Sequence, residues 1–243
     1  MHHVVLDRWS RGGSALHRRD ARAKTIAVLV FLIALGTAQR AFLPLSLFYL
    51  GILAAAILAA GLPIVAALKR AAVVLPFTAV FAAISLAAGE PMRAAALVGK
   101  SYLSALAVLV LVSTTPLPEL LGGLERMGVP RYLLMVAQFL YRYLFVISEE
   151  AQHMRAALQA KSGTLKRTLW DRAKFGAAGR ALGVLFARSY AHAEGIHQAM
   201  LARGFQGHFL TLSGRAFGRA DAFFVAAALV IVVGARAAVE AWI

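Results

Sequence analysis

The stretch Ala41-Phe-Leu-Pro-Leu-Ser-Leu-Phe-Tyr-Leu-Gly-Ile-Leu-Ala-Ala-Ala-Ile-Leu-Ala-Ala-Gly-Leu62 decides the class of this protein. It carries no charge and is long enough to cross a bilayer as a helix, which takes roughly 20 apolar residues. Apolar runs flank it on both sides. Thr25 to Ala38 is shorter, and snorkelling of Lys24 and Arg40 is expected to extend it at both ends. Ala71 to Ala88 follows the pair Lys69-Arg70, and Glu90-Pro91-Met92-Arg93 interrupts the pattern. Ala94 to Thr115 makes the fourth run, stopped by Pro116 and Pro118. A last run covers Asp221 to about Glu240. The expectation is an all-α membrane protein of five spans. An apolar fraction of 60% and a mean hydropathy of +0.72 over 243 residues agree with it. Cysteine is absent, so neither a disulfide framework nor a thiolate metal site is available. No cleavable signal peptide is expected, because no small-residue cleavage site follows the first apolar run.

The formal charge of +15 would point to nucleic acid in a soluble chain. Topology explains it here. With the N-terminus in the cytoplasm, the leader, Lys69-Arg70 and the region 116–220 all fall inside, and they hold 22 of the 26 Lys and Arg. Arg40, Arg93, Lys100 and Arg236 are left near the outer face, a split that follows the positive-inside rule. No nucleic acid is needed, and the lipid bilayer is the first partner. The organisation expected is a basic leader at 1–24, a four-helix transmembrane region at 25–115, a helical cytoplasmic domain at 116–220 and a transmembrane helix at 221–243 in the cell inner membrane.

Region 116–220 alternates charge with apolar residues at helical spacing. Gly128-Val129-Pro130 opens a helix, proline suiting its first turn. Leu133, Val136, Leu140, Tyr143, Leu144 and Ile147 give that helix one apolar face. Arg142 lies near the middle of Tyr132–Ile147, where a spanning helix would carry a cost of about 2.5 kcal/mol or more for it. A helix at the inner interface or beneath the spans is therefore expected. It continues to Ala160-Lys161-Ser162-Gly163. A second helix covers about Arg180 to Arg203, with Leu182, Leu185, Phe186, Ile196 and Met200 on its apolar side, and closes in Ala202-Arg203-Gly204. Both helices end in an alanine, a cation and a small residue. Arginine suits the negative end of a helix dipole, and glycine can take the left-handed conformation that ends a helix. On these grounds alone, Arg203 could simply satisfy its own helix's carbonyls.

Several motifs in order resemble the CbiQ/EcfT family. They are Leu16-His17, Asp20-Ala21-Arg22-Ala23-Lys24, Thr115-Pro116 with Leu120-Leu121, Gly128-Val129-Pro130, Tyr141-Arg142-Tyr143 with Glu149-Glu150, and Ala199-Met200-Leu201-Ala202-Arg203-Gly204-Phe205. The family comprises transmembrane coupling components of energy-coupling factor importers, a branch of the ABC transporters. The leader looks most like the cobalt and nickel branch. The resemblance implies a non-catalytic subunit whose two coupling helices dock on two ATPase subunits, which hold ATP and Mg. It also implies a substrate-binding membrane subunit that binds the metal, and it allows a small accessory membrane subunit. Carried over by position, the docking residues are Ala202, Arg203 and Gly204, and Ala160, Lys161 and Ser162. The second set departs from the Ala-Arg-Gly pattern, and lysine lacks the forked geometry of arginine. Arg203 is thus expected to be the stronger anchor. Met154, Leu158, Ile196 and Met200 are expected to pack the coupling helices on each other and on the substrate-binding partner. The same role for a vitamin, or an interfacial enzyme using Glu149, Glu150 and His153, are the alternatives.

Other chemistry-like features are weaker. Gly99-Lys100-Ser101 ends like a P-loop, but Ala94 stands where its first glycine belongs, inside an apolar run. Met1-His2-His3 has the donor order that can hold Ni(II) or Cu(II) in a plane. Its expected cytoplasmic position is the wrong side for capture by an importer, so no metal site is assigned. His192 and His197, five apart, do not share a helix stripe and read as ordinary polar positions. Arg40, Arg93 and Lys100 are expected to snorkel to headgroups.

Overall fold

The computed structural model describes residues 9–10, 12–38, 42–161, 172–205 and 217–241, and every regular element among them is helical. In chain order these are α1 (Ala21–Thr37), α2 (Phe42–Ala60), α3 (Ile64–Ala71), a 3-10 turn (Ala72–Val74), α4 (Leu75–Ala87), α5 (Pro91–Thr114), α6 (Leu117–Arg126), α7 (Arg131–Lys161), α8 (Arg172–Ala202) and α9 (Arg219–Ala241). The chain divides into two compact units. One comprises 1–128 with 212–243, and the other comprises 129–211.

The first unit is an all-α membrane bundle. In lipid a backbone without water must satisfy its own N–H and C=O groups, and the helix does this within one segment. Among the described residues, three continuous helical stretches are long and apolar enough to cross a bilayer: Ile64–Ala87, Pro91–Thr114 and Arg219–Val239. Pro44–Ala60 is apolar but shorter. α1 has 17 residues, about 26 Å at 1.5 Å each. Lys69 and Arg70 are not in a loop as expected. They sit in the last turn of α3, which runs on through the 3-10 turn into α4, and the Arg70 guanidinium lies 3.9 Å over the Trp9 ring.

Tyr49, Leu35, Leu45, Ile57 and Leu106 form the innermost layer of the bundle. The Phe31 and Tyr49 rings meet at 5.0 Å, and the Tyr49 hydroxyl donates to the Val232 carbonyl at 3.2 Å. Buried Ala34, Ala38, Ala60, Ala67 and Ala107 let the backbones approach, which is how helices gain packing where lipid is as apolar as leucine.

α1 is tied at both ends. At its start, Asp20 caps the helix by accepting from the Arg22 N–H at 2.8 Å, and the Asp20 N–H donates to the Asp221 carboxylate at 3.3 Å. The other Asp221 oxygen accepts from the Gly218 N–H at 3.1 Å, so one carboxylate serves the N-termini of both α1 and α9. Lys24, only 3% exposed, donates from Nζ to the Thr114 carbonyl at the end of α5, at 2.8 Å. At the far end of α1, Lys100 of α5 donates to the Gly36 and Ala38 carbonyls. Arg236 of α9 bonds both the hydroxyl and the carbonyl of Thr37. Helices α1 and α5 thus run antiparallel, each supplying a lysine to the orphan carbonyls of the other. These contacts correct the snorkelling assigned to Lys24 and Lys100. A carbonyl orphaned at a helix end inside the protein is a closer partner than a headgroup. Arg93 pairs with Glu90 at 2.8 Å on the surface, and Arg40 lies outside the described residues.

α6 also belongs to this unit. A Cβ on Gly123 would stand 3.1 Å from that of Ala21, so α6 packs closely on the start of α1. The boundary expected at 115/116 had grouped 117–126 with the long helices; in the structure the division follows Gly128.

The second unit is built on α7 and α8, each of 31 residues. They run antiparallel along their contact: Phe139 and Tyr143 share a groove with Ile196 and Met200, while Glu150 pairs with Arg188 further along. The expected apolar face of α7 meets α8 only in part, through Tyr143 and Ile147, which line the groove between the helices. Leu133, Val136, Leu140 and Leu144 stay exposed, because α7 is apolar nearly all round in its first half and periodicity does not single out one side.

Candidate docking site

The second unit carries the predicted site residues. α8 ends in a backbone-closed turn. The Phe205 N–H donates to the Met200 carbonyl at 3.0 Å and the Gly204 N–H donates to the Leu201 carbonyl at 2.9 Å. Gly204 has φ of 78°, the left-handed conformation this closure requires. The consequence bears on Arg203. The Met200 and Leu201 carbonyls are satisfied by backbone N–H groups, so the guanidinium is not needed to cap them. Arg203 is exposed, and no carboxylate pairs with it among the described residues. Ala202 before it and Gly204 after it are small and exposed, leaving the cation on a low platform.

The other predicted end is described less far. Ala160 is exposed near the end of α7 and Lys161 is its last residue. Ser162 and the side chains of Lys161 and Leu158 lie outside the described residues, as do His2 and His3.

Between α7 and α8 lies an open groove of about 790 Å³, with Phe139, Tyr143, Val146, Ile196 and Met200 among its walls. The close Glu150–Arg188 ion pair stands along it. A second cavity of about 390 Å³ shares the Phe139, Tyr143, Ile196 and Met200 walls and adds Arg142, Arg203 and Phe205. The Phe139 and Tyr143 rings stack at 6.1 Å, and His192 meets the Tyr143 ring edge-on at 6.3 Å. Ile196 and Met200 therefore lie where the two helices face each other, and Met154 is half-buried. Phe139, Arg142 and Tyr143 were not among the predicted site residues. The clue available was an aromatic–arginine–aromatic run set in an apolar helix, Tyr141-Arg142-Tyr143.

The carboxylates and histidine proposed for an enzyme are split apart. Glu149 and His153 lie 3.7 Å from each other on an exposed face, whereas Glu150 is engaged with Arg188. Among the described residues no group of three His, Asp or Glu could hold a metal ion.

The family model for the cobalt transport protein CbiQ matches residues 12–212, which include every motif from Leu16-His17 to the Ala202-Arg203-Gly204 end. This chain belongs to the CbiQ family. It is 34% identical over 132 residues to the cobalt transport protein CbiQ of Rhodobacter capsulatus, covering 54% of this chain and 52% of that protein. It is 31% identical over 102 residues to the nickel permease LarQ of Lactiplantibacillus plantarum, covering 42% of this chain and 36% of that one. The matched part thus spans about half the length of the first relative and about a third of the second. In this CbiQ-family chain the matched region contains Asp20 and Lys24 at the start of α1 and the Arg203 end of α8.

Proposed function

We propose that this chain is the transmembrane coupling subunit of an energy-coupling factor importer for cobalt or nickel ions. Two ATPase subunits carrying ATP and Mg would drive it, and a separate membrane subunit would hold the metal. The N-terminus and the second unit lie on the cytoplasmic side in this reading. The observation that carries it is Arg203: an exposed guanidinium on a helix end whose Met200 and Leu201 carbonyls are already closed by backbone. A cation freed from capping, flanked by small residues, is available to a partner's oxygens in the forked geometry arginine offers. The chain's own role is mechanical. ATP-driven closure of the ATPases would shift α7 and α8, and the shift would tilt the substrate-binding partner between outward and inward access. The choice of cobalt or nickel is supported by family membership and by the two relatives, a cobalt transport protein and a nickel permease.

The test is capture of the purified ATPase subunits by the full-length chain in detergent, comparing wild type with Arg203→Glu and Lys161→Glu. Reversal at a desolvated contact costs about 2 kcal/mol or more, roughly 30-fold in affinity. Arg203→Glu is expected to lose that much and Lys161→Glu less, with both proteins eluting as the wild type does. Unchanged capture by both variants would overturn the coupling role.

A further inference from the structure

The 390 Å³ cavity at the end of α8 brings Arg142 and Arg203 to one opening, although 61 positions separate them in sequence. Among the described residues no acidic one lines it. Both arginines are exposed, and neither pairs with a carboxylate among the described residues. The Arg142 guanidinium carbon lies 5.9 Å from the centroid of the Tyr143 ring. Along the connected groove the next charges, Glu150 and Arg188, cancel each other. The groove is therefore polarised: two cations at the Arg203 end, neutral beyond, with aromatic and aliphatic walls throughout.

We infer that Arg142 and Arg203 form a two-pronged socket for one carboxylate side chain of the ATPase partner, an apolar neighbour of that carboxylate seating along Phe139, Tyr143 and Met200. This rests on the docking role proposed for Arg203, and it adds a second cation and a direction to it. Two guanidinium forks converging on one carboxylate satisfy all its lone pairs, a stronger arrangement than either alone. The choice of a protein side chain over a lipid phosphate follows from the surroundings. Ala199, Ala202 and Gly204 leave room for a partner backbone to approach closely, which a mobile headgroup does not require.

The experiment measures affinity of the purified ATPase subunits for the full-length chain in detergent across Arg142→Gln, Arg142→Lys, Arg203→Gln and the Arg142/Arg203 double variant. Arg142→Gln is expected to weaken binding about 10-fold and Arg203→Gln at least as much. The double variant should be much less than additive, because both prongs hold one group. Arg142→Lys, which keeps the charge, should fall between wild type and Arg142→Gln, and it guards against a folding defect. Full affinity in Arg142→Gln with loss in Arg203→Gln would overturn the socket while leaving the docking role intact. Full affinity in both would overturn the docking role as well. A third arm measures the same variants on vesicles containing anionic phospholipid. Loss there, with ATPase affinity unchanged, would assign Arg142 to lipid and overturn the proposal.

Discussion

The two units treat their cations in opposite ways. In the bundle, Lys24, Lys100 and Arg236 reach carbonyls at helix ends, and Arg22 pairs with Asp20. In the long-helix unit, Arg142 and Arg203 stand exposed beside aromatic rings, and the Met200 and Leu201 carbonyls before Arg203 are closed by backbone. A cation whose partner lies in its own fold holds that fold together. A cation left over after the fold has satisfied itself is free for another molecule. The same residue type in one basic chain thus divides into struts and docking points, and net charge does not distinguish them.

Removing a strut should damage stability and removing a docking cation should not. The largest effect is expected from Lys24→Met, which keeps the length of the side chain and deletes the donor. It orphans the Thr114 carbonyl and leaves Asp20 and Asp221 less compensated, so about 2–4 kcal/mol should be lost. Thermal unfolding in detergent should show a midpoint lower by several degrees, with Arg203→Gln at the wild-type midpoint. An equal fall in both would erase the distinction between the units.

At the other end of α1, Lys100→Met and Arg236→Met should each cost about 1–2 kcal/mol. Their double variant should depart from additivity, since both cap the last turn of α1. The same thermal measurement reads this. Strict additivity would mean that the two caps act independently.

Gly204→Ala probes the docking side. Forcing a side chain into φ of 78° costs about 1 kcal/mol. That is expected as faster hydrogen exchange at the Gly204 and Phe205 amides and weaker ATPase capture, with the bundle's midpoint unmoved. Unchanged exchange at both amides would show that the closure does not depend on glycine.

The smallest effect concerns acid. Burial alone would raise the pKa of Asp20, but hydrogen bonds from the Arg22 side chain and backbone, with the charges of Arg22 and Arg126, hold it below the ordinary carboxylate value. A depressed folded-state pKa contributes stability that is fully present above the unfolded value of about 3.9 and is lost as pH falls through the folded one. The midpoint of the wild type should therefore drop more steeply below about pH 4 than that of Asp20→Asn. Parallel acid profiles would remove Asp20 from the account.

Much of the fold was legible because apolar runs and helix stops are local. Five apolar segments, the proline-opened starts and the glycine after Arg203 could each be read from a window shorter than 25 residues. The site was legible in part for the same reason. Ala202-Arg203-Gly204 announces a helix end, and the repeat of that pattern after α7 marks both ends as a pair. Arg142 was visible only as an awkward charge in an apolar helix. The face of α7 that meets α8 was legible only in part, since a helix that is apolar all round gives the period nothing to select.

By itself the sequence determined an all-helical membrane protein, its main apolar helices and the end at which Arg203 stands. Only the tertiary structure decided what each charge does. Lys24 meets Thr114 across 90 positions, Asp20 meets Asp221 across 201, and Arg142 joins Arg203 in one cavity. The physical reason is that the free energy of a charge depends on the oxygens and the solvent around it. In a helical bundle those neighbours come from other helices, at separations that no local pattern encodes.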